Sequence, residues 1–252
     1  MKKIRSWPLG WPRFLLALLS CALVATAIAE ASPISFGAEF DFGSRYVWRG
    51  MALSDGAVVQ PTAWVSAFGF TFSGWGNMGL QDAQGRGKFD EVDLTLSRAF
   101  TIDDLGLTIA GQSYVPLNQD SASATGELSV KFSYPAGSVN LTTTHSVDVV
   151  AYRPSYYGEL AIDYDQDLSS RFSIESSIGL GWGSVKFNDS YWGVSRSALD
   201  LAFGEFAFSY YPLSTFYVRP HIGVSSLLDA GLRSQTSSPT LVFGGLALGM
   251  EF

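Results

Sequence analysis

The chain has 252 residues, a formal net charge of −7, two histidines and one cysteine. Hydrophobic residues make up 47% of the sequence and charged residues only 15%. The acidic balance disfavours nucleic acid, whose phosphates attract basic proteins. Two isolated histidines and one cysteine offer no transition-metal spacing, and no phosphate-binding glycine motif is present. The sequence therefore predicts a protein without nucleic acid, metal or cofactor.

The first 31 residues have the features of an export signal. A basic start is followed by an apolar run over 14–29 and by two small-x-small sites that end at Ala29 and Ala31. We expect cleavage near Ala29 or Ala31, leaving 32–252 as a single domain. Cys21, the only cysteine, lies inside this leader, so the exported chain has no disulfide. The basic residues of the leader are Lys2, Lys3, Arg5 and Arg13.

Beyond the leader, apolar and polar residues alternate with a period of two, the side-chain period of a β-strand. The last stretch ends in Phe252, and as an unpaired edge it would promote aggregation. Inside a closed barrel it is paired on both sides and its apolar face meets lipid. The sequence predicts an all-β, transmembrane, antiparallel up-and-down barrel of about twelve strands. These strands cover 34–42, 58–68, 70–78, 90–100, 105–115, 124–134, 138–145, 156–164, 171–182, 197–210, 216–228 and 240–252.

Two further patterns concern the strand connections and one irregular strand. Long loops near 43–57, 79–89, 116–123, 146–155, 183–196 and 229–238 alternate with short turns, which predicts that both termini are periplasmic. Within 197–210 the apolar residues change from odd-numbered to even-numbered positions, and a bulge near Gly204 is expected. The strands that run towards the short turns end on aromatic residues, typical of a periplasmic girdle at the membrane interface. The six girdle residues are Phe68, Phe100, Tyr134, Tyr164, Tyr210 and Phe252.

The residues at the inward-facing positions of the strands are polar and mainly acidic. An acidic lumen favours cations. The simpler interpretation is a solvated strand face, because any barrel interior must be polar. Twelve strands lie between a packed and a water-filled barrel, so a narrow pore, a plugged barrel and a substrate-gated channel all remain open. The candidate lumen residues are Glu39, Asp41, Glu91, Asp93, Glu127, Lys131, Glu159, Asp163, Glu175, Glu205, Arg219 and His221.

An outer-membrane lipid-modifying enzyme is a third possibility. Such an enzyme needs a serine and a histidine on one face. His145 and Ser146 are adjacent and point to opposite faces of a strand. His221 and Ser225 are four residues apart, about 13 Å along a strand. The sequence therefore predicts no catalytic site, although a partner on another strand stays open.

The stretch 44–61 reads SRYVWRGMALSDGAVVQP. Its element Tyr46-Val47-Trp48-Arg49-Gly50 resembles the TorF-type family of proteobacterial outer-membrane porins. The resemblance implies a channel for small solutes in the cell outer membrane. We expect diffusion with cation preference; the alternative is a closed barrel that acts through its extracellular loops. The expected partners are small solutes, membrane lipid, lipopolysaccharide and, through Phe252, the barrel-assembly machinery.

Arg45 and Arg49 in this motif have two interpretations. In the first, the loop folds inward, and both guanidinium groups face lumen acids and narrow the pore. In the second, Tyr46 and Trp48 anchor the loop at the outer interface, while the arginines bind lipopolysaccharide phosphate or loop backbone. The sequence favours the second interpretation slightly.

Overall fold

The computed structural model describes residues 34–54, 56–80, 87–118 and 123–252, so the predicted leader lies outside the described residues. Twelve strands form a closed antiparallel barrel, which confirms the predicted fold. A small hairpin in the first long loop, β2 (Val47–Trp48) and β3 (Met51–Ala52), stands apart from it. The barrel strands are β1 (Ser35–Gly43), β4 (Val58–Ala67), β5 (Phe70–Gly79), β6 (Phe89–Ile102), β7 (Leu105–Pro116), β8 (Thr125–Ala136), β9 (Val139–Asp148), β10 (Tyr156–Ser169), β11 (Phe172–Gly183), β12 (Ala198–Leu213), β13 (Phe216–Leu227) and β14 (Thr240–Glu251).

The first and last strands close the barrel. Asp41 of β1 lies opposite Ala247 of β14 on one side and Gln60 of β4 on the other. The chain end is part of this seam, because Phe36 and Phe252 exchange backbone hydrogen bonds of 3.0 and 2.9 Å. Their rings also stack, with centroids 5.4 Å apart. No strand edge of the barrel is therefore left unpaired.

The two faces of the barrel differ as the alternation predicts. Large apolar side chains stand exposed on the outside, whereas the inside carries carboxylates, hydroxyls and amides. An exposed apolar surface of this extent has the character of a lipid-facing band. The outward residues include Phe36, Phe40, Val65, Phe72, Leu94, Ile109, Leu128, Leu160, Ile178, Phe206, Val224, Val242 and Leu246.

Two short helices lie in stretches expected to be loops. Helix α1 (Val185–Trp192) begins after Ser184, whose hydroxyl accepts a bond from the Phe187 amide, and ends at Gly193 with a φ of 68°. Helix α2 (Ala230–Arg233) begins after Asp229, which caps it in the same way. Within the described ranges, no helix has the length and apolar character needed to cross a membrane.

The bulge predicted near Gly204 is wrong. The register shifts instead between Gly181 and Trp182, opposite Leu199–Leu201. As a result Phe203 points inward, where it lies over Gly179: a β-carbon at 179 would lie 2.5 Å from the Phe203 ring. The missing side chain at 179 is what makes room for an aromatic ring inside a polar lumen.

The predicted end of the strand at Tyr164 is also wrong. Strand β10 continues to Ser169, because pairing with β11 persists through Asp165 opposite Glu175. The girdle residue Tyr164 therefore lies within a strand rather than at its end, and Phe100, Tyr134 and Tyr210 likewise lie two or three residues before the ends of β6, β8 and β12. The extension adds Asp165 and Asp167 to the inward face.

Candidate permeation path

The first loop, 44–57, folds into the barrel. Arg49 and Gly50 have φ angles of 46° and 82°, and they form the two-residue turn between β2 and β3. Positive φ at both turn positions defines a type I′ hairpin turn, for which glycine is well suited. The Leu53 amide donates to the Tyr46 carbonyl at 2.8 Å and closes the base of the hairpin. The hairpin thus presents the Arg49 side chain at its tip.

Arg49 binds the barrel wall far from the strand that precedes its loop. Its two terminal nitrogens donate to the two Glu127 oxygens, each at 2.7 Å. Tyr114 donates to the same carboxylate at 3.1 Å. Glu127 is on β8, five strands around the barrel from β1. The loop therefore crosses the lumen and is held by a bidentate ion pair, the strongest geometry for such a pair.

Aromatic rings surround the same guanidinium group. Its central carbon lies 4.5 Å from the Trp48 ring centroid, 4.4 Å from that of Tyr157 and 5.5 Å from that of Phe187. Burial by itself lowers the pKa of Arg49, but the hydrogen bonds and charge of Glu127 raise it above the ordinary value. Arg49 is therefore a permanent cation, and its side chain is only 11% exposed.

A dry cluster covers the end of the barrel that carries the long loops, which we name the loop end. It joins the inner wall to both helices and to the first-loop hairpin. Trp48 and Met51 of the hairpin pack against it, together with Tyr191 of α1. The hairpin is therefore packed on the wall as well as paired with it. The buried members are Tyr157, Phe187, Leu201, Leu227 and Leu232.

Below the hairpin lies the main lumen cavity, with a volume of 520 Å³. A chain of smaller cavities leads from it towards the loop end. A 150 Å³ space shares Lys131, Asp163 and Ser177 with the lumen cavity. The next, of 200 Å³, is bounded by the Arg49–Glu127 pair and shares Thr144 and Glu159 with that space.

The last space is the mouth cavity, with a volume of 190 Å³. It shares Tyr114 with the space beside the Arg49–Glu127 pair. The four cavities are thus linked in series by shared lining residues of β7–β11. The Arg49–Glu127 pair and Tyr114 line the space next to the mouth cavity.

Several lumen acids are already neutralised. Glu39 accepts from Tyr217 at 2.7 Å and from Arg219 at 2.6 Å. Asp41 pairs with His221 at 2.9 Å. Arg219 also lies 3.8 Å from Glu175, so it bridges β1 and β11 through the lumen. These contacts brace the wall and leave less charge for a solute.

Other charged groups face the lumen without a protein partner. Among the described residues, the side chains of Glu159, Asp165 and Glu205 make no hydrogen bond or ion pair. The same holds within those ranges for Arg45 and Lys131, which also line the lumen cavity. Glu159 lines the two smaller spaces, and the other two acids line the main cavity. Groups of this kind are available to a passing ion.

All twelve predicted lumen residues occupy inward register positions of the barrel. Asp163, for example, accepts from Thr142 at 2.9 Å and from Ser177 at 2.6 Å, both on the inner face. Asp93 accepts from Gln112 across the β6–β7 pair at 3.1 Å. The prediction missed Tyr114, although it lies on the inward parity of its strand.

The four residues of the loop motif, Arg45, Tyr46, Trp48 and Arg49, all line cavities inside the barrel. Arg49 and Trp48 lie inside the barrel, which corrects the preference for an interfacial anchor. The physical reason is that Glu127 and the aromatic cluster give this loop tip a better partner than water or lipid. The Tyr46 ring packs against that of the inward-facing Trp75 with centroids 5.2 Å apart and an interplanar angle of 55°. Burial, together with the Glu91 and Asp93 carboxylates, raises the pKa of Tyr46, so its phenol stays neutral.

The predicted aromatic girdle lies on the outer face. Phe68 and Phe252 are exposed at the end that carries the short turns, which we name the turn end. Tyr210 stacks on Phe172 with ring centroids 5.1 Å apart. Phe172 was not among the predicted girdle residues, although it directly follows a short turn.

The two histidines have different surroundings. His145 faces outward, and its ring nitrogens contact Tyr156 Oη at 2.8 Å and Thr143 Oγ1 at 3.2 Å. His221 faces the lumen and contacts Asp41. In the described part of the chain, no group of His, Cys, Asp or Glu has the geometry of a metal site.

No family model and no curated protein sequence matches this chain. Among solved structures, the KdgM porin in complex with disordered oligogalacturonate has a TM-score of 0.50 at 9% identity, covering 86% of this chain and 99% of the porin. The NanC porin has a TM-score of 0.49 at 14% identity, covering 87% and 99%. An outer-membrane channel from Pseudomonas putida F1 has a TM-score of 0.49 at 11% identity, covering 90% and 97%. The likeness is one of fold: this chain is a closed antiparallel barrel similar to that of the KdgM porin.

Proposed function

We propose that this protein is an outer-membrane channel that passes small solutes by diffusion, with a preference for cations. The observation that carries the proposal is the chain of cavities linked along β7–β11, in which the Arg49–Glu127 pair lines the space next to the mouth cavity. A barrel with only a structural role has no need for a polar interior linked in this way. The folded-in first loop then acts as the constriction of the pore.

The cation preference is proposed from the lumen charges. Among the described residues, three acids without a side-chain partner, Glu159, Asp165 and Glu205, lie along the path against two such cations, Arg45 and Lys131, and Arg49 is engaged with Glu127. A water-filled passage with low-dielectric walls strengthens the field of such charges. The solute of the KdgM porin, oligogalacturonate, is acidic, and we do not extend it to this chain because these carboxylates would repel it.

We also propose an orientation, which rests on the general pattern of short periplasmic turns and long outer loops. We place the turn end and both termini in the periplasm, with the long loops outside. The aromatic girdle then contacts the inner interface, the loops contact lipopolysaccharide, and Phe252 is the signal read by the barrel-assembly machinery. The sequence predicts export by the N-terminal leader, which is removed near Ala29 or Ala31.

A closed barrel with a role in its extracellular loops is the second candidate. The dry cluster at the loop end favours it, because Tyr157, Phe187 and Leu232 are at most 2% exposed. We do not propose an enzyme, since neither histidine contacts a serine hydroxyl among the described residues.

Single-channel recording separates the two candidates. The refolded protein is placed in a planar bilayer with a salt gradient of about tenfold, and the reversal potential is measured. Steady openings whose reversal potential has the sign expected for a cation-selective pore support the channel. A folded barrel, verified by heat-modifiable migration on a gel, that gives no openings contradicts it.

A further inference from the structure

We propose that the mouth cavity binds an organic ammonium ion. The cavity lies above the Arg49–Glu127 contact and is built by the first loop, β5–β8, the loop at Tyr152 and helix α1. This inference names the solute class of the path described above. As a statement about transport it rests on the proposed channel function, but binding itself is measurable separately.

One wall of the mouth cavity is aromatic. The Trp48 ring lies 5.1 Å from that of Tyr191 and 5.9 Å from that of Tyr114, centroid to centroid. Tyr152 lies 5.1 Å from Tyr191. These rings come from four separate parts of the chain and line one space. Aromatic faces attract cations, and quaternary ammonium groups are typical ligands of such walls.

The first loop already contains a cation in contact with aromatic rings. The Arg49 guanidinium lies over Trp48 at 4.5 Å and over Tyr157 at 4.4 Å. Its contacts are on the lumen side of the ring cluster and it does not line the mouth cavity. The cluster therefore binds a cation of the protein on one side and offers further rings on the other.

The mouth cavity is also lined by Asp90 and Glu91 of β6. Asn77 donates to Asp90 at 2.8 Å and orients its carboxylate. In the described part of the chain, no lysine, arginine or histidine lines this cavity. An anion is disfavoured here, and a neutral sugar gains nothing from the carboxylate charges. An ammonium ion in this cavity has both aromatic rings and carboxylates within its lining.

The size and position of the cavity suit a small ligand. Its 190 Å³ equals the share of about six water molecules in the liquid. Tyr114 lies between it and the next space along the path, so a bound ligand rests directly above the constriction. Compounds with one ammonium group and a short chain match these dimensions.

Isothermal titration calorimetry with choline as the probe tests the site on the refolded, detergent-solubilised barrel. The matched compound is 3,3-dimethyl-1-butanol, which has the same shape without the charge. We expect saturable choline binding, with the neutral compound at least about tenfold weaker. Equal binding of the two compounds, or no choline binding by a folded barrel, overturns the proposal.

Two variants assign the site within the molecule. Glu91→Gln keeps the side-chain shape and removes the charge, and Tyr152→Ala removes one ring. Each is expected to weaken choline binding about fivefold or more. Tyr211→Ala, a ring of β12 outside the cavity, serves as the control and is expected to leave binding unchanged. A fall in affinity for the control alone, with both site variants unaffected, contradicts the assignment.

The two proposals fail separately. Choline binding without single-channel openings would support the ammonium site and contradict the channel function. Cation-selective openings without choline binding would support the channel function and contradict the ammonium site. In a conducting protein, choline is also expected to reduce the sodium current in the wild type and less so in Glu91→Gln.

Discussion

The Arg49 side chain affects the charge of the lumen, the packing of the hairpin and the pore size of the proposed channel. Its partner Glu127 is 6% exposed, so removal of the guanidinium leaves a buried carboxylate without its counter-charge. Breaking a buried pair in this way destabilises a protein by about 3–5 kcal/mol. For Arg49→Ala we expect a looser hairpin and a larger single-channel conductance. Recordings in planar bilayers, with urea unfolding on the same samples, measure both effects.

Arg196 provides the control for this substitution. It pairs with Asp229 between two long loops and is 52% exposed, and the pair lowers the pKa of Asp229 through the hydrogen bond from Arg196. An exposed pair contributes about 0–1 kcal/mol, so Arg196→Ala should leave conductance unchanged. Weakened folding of Arg49→Ala at unchanged conductance would show that the ion pair is an anchor rather than the constriction.

Gly249 shows how a missing side chain positions a lumen residue. The Tyr217 ring lies over this glycine, in the space that a β-carbon at 249 would occupy. The ring is thereby directed at Glu39, to which it donates at 2.7 Å. Gly249→Ala displaces the ring and is expected to destabilise the barrel by about 1–3 kcal/mol, as overpacking does. Urea unfolding measures the change.

Gly204 is the matched control for Gly249. The nearest atom to a β-carbon at 204 is Val224 Cγ1 at 3.6 Å, an ordinary contact. Gly204→Ala should therefore unfold at nearly the wild-type urea concentration. Equal loss in the two variants would mean that a β-carbon is costly at either position of the sheet and that the Tyr217 contact does not determine the effect at 249.

At the scale of elements, the β2–β3 hairpin obstructs the lumen. Its base is closed by the Tyr46–Leu53 hydrogen bond of 2.8 Å, so Val47–Ala52 can be replaced by the two-residue turn Asn-Gly. We expect the shortened loop to raise conductance more than Arg49→Ala, because it also removes Trp48 and Met51 from the mouth. An unchanged conductance in a barrel with a normal circular dichroism spectrum would place the constriction elsewhere.

The barrel strands were predictable from sequence, because the alternation of apolar and polar residues with a period of two indicates which face of each strand contacts lipid. The hairpin was not, since Trp48 and Arg49 suit a membrane interface as well as a barrel interior. Only the register, which brings Glu127 to the loop tip, decides between the two positions. Helix α1 did carry a signal: Ser184 and Gly193 are typical caps at its two ends.

Bulges and strand ends depended on partners that no single strand reveals. The inward position of Phe203 requires Gly179 on the neighbouring strand. The extension of β10 beyond Tyr164 requires a matching partner in β11. The candidate site was predictable as a set of inward acids, but which of them are neutralised follows from pairs that span the lumen, such as Arg219 with Glu39.

At the scale of the whole molecule, the balance of lumen charge is expected to set the ion preference of the proposed channel. Asp165 and Glu205 face the lumen cavity without partners in the described part of the chain. A carboxylate attracts a monovalent cation 4 Å away by about 1 kcal/mol in water, which is about fivefold in occupancy. The double variant Asp165→Asn/Glu205→Gln should therefore lower the cation-to-anion permeability ratio severalfold, as measured by the reversal potential in a salt gradient.

The control for this last prediction changes the same net charge away from the path. Asp103 and Asp104 form the turn between β6 and β7 and are exposed. Asparagine suits the Asp103 position, whose φ is 53°. Asp103→Asn/Asp104→Asn should keep the permeability ratio of the wild type. An equal fall in both double variants would mean that the net charge of the protein sets the preference, and a fall in neither would assign selectivity to the constriction at Glu127.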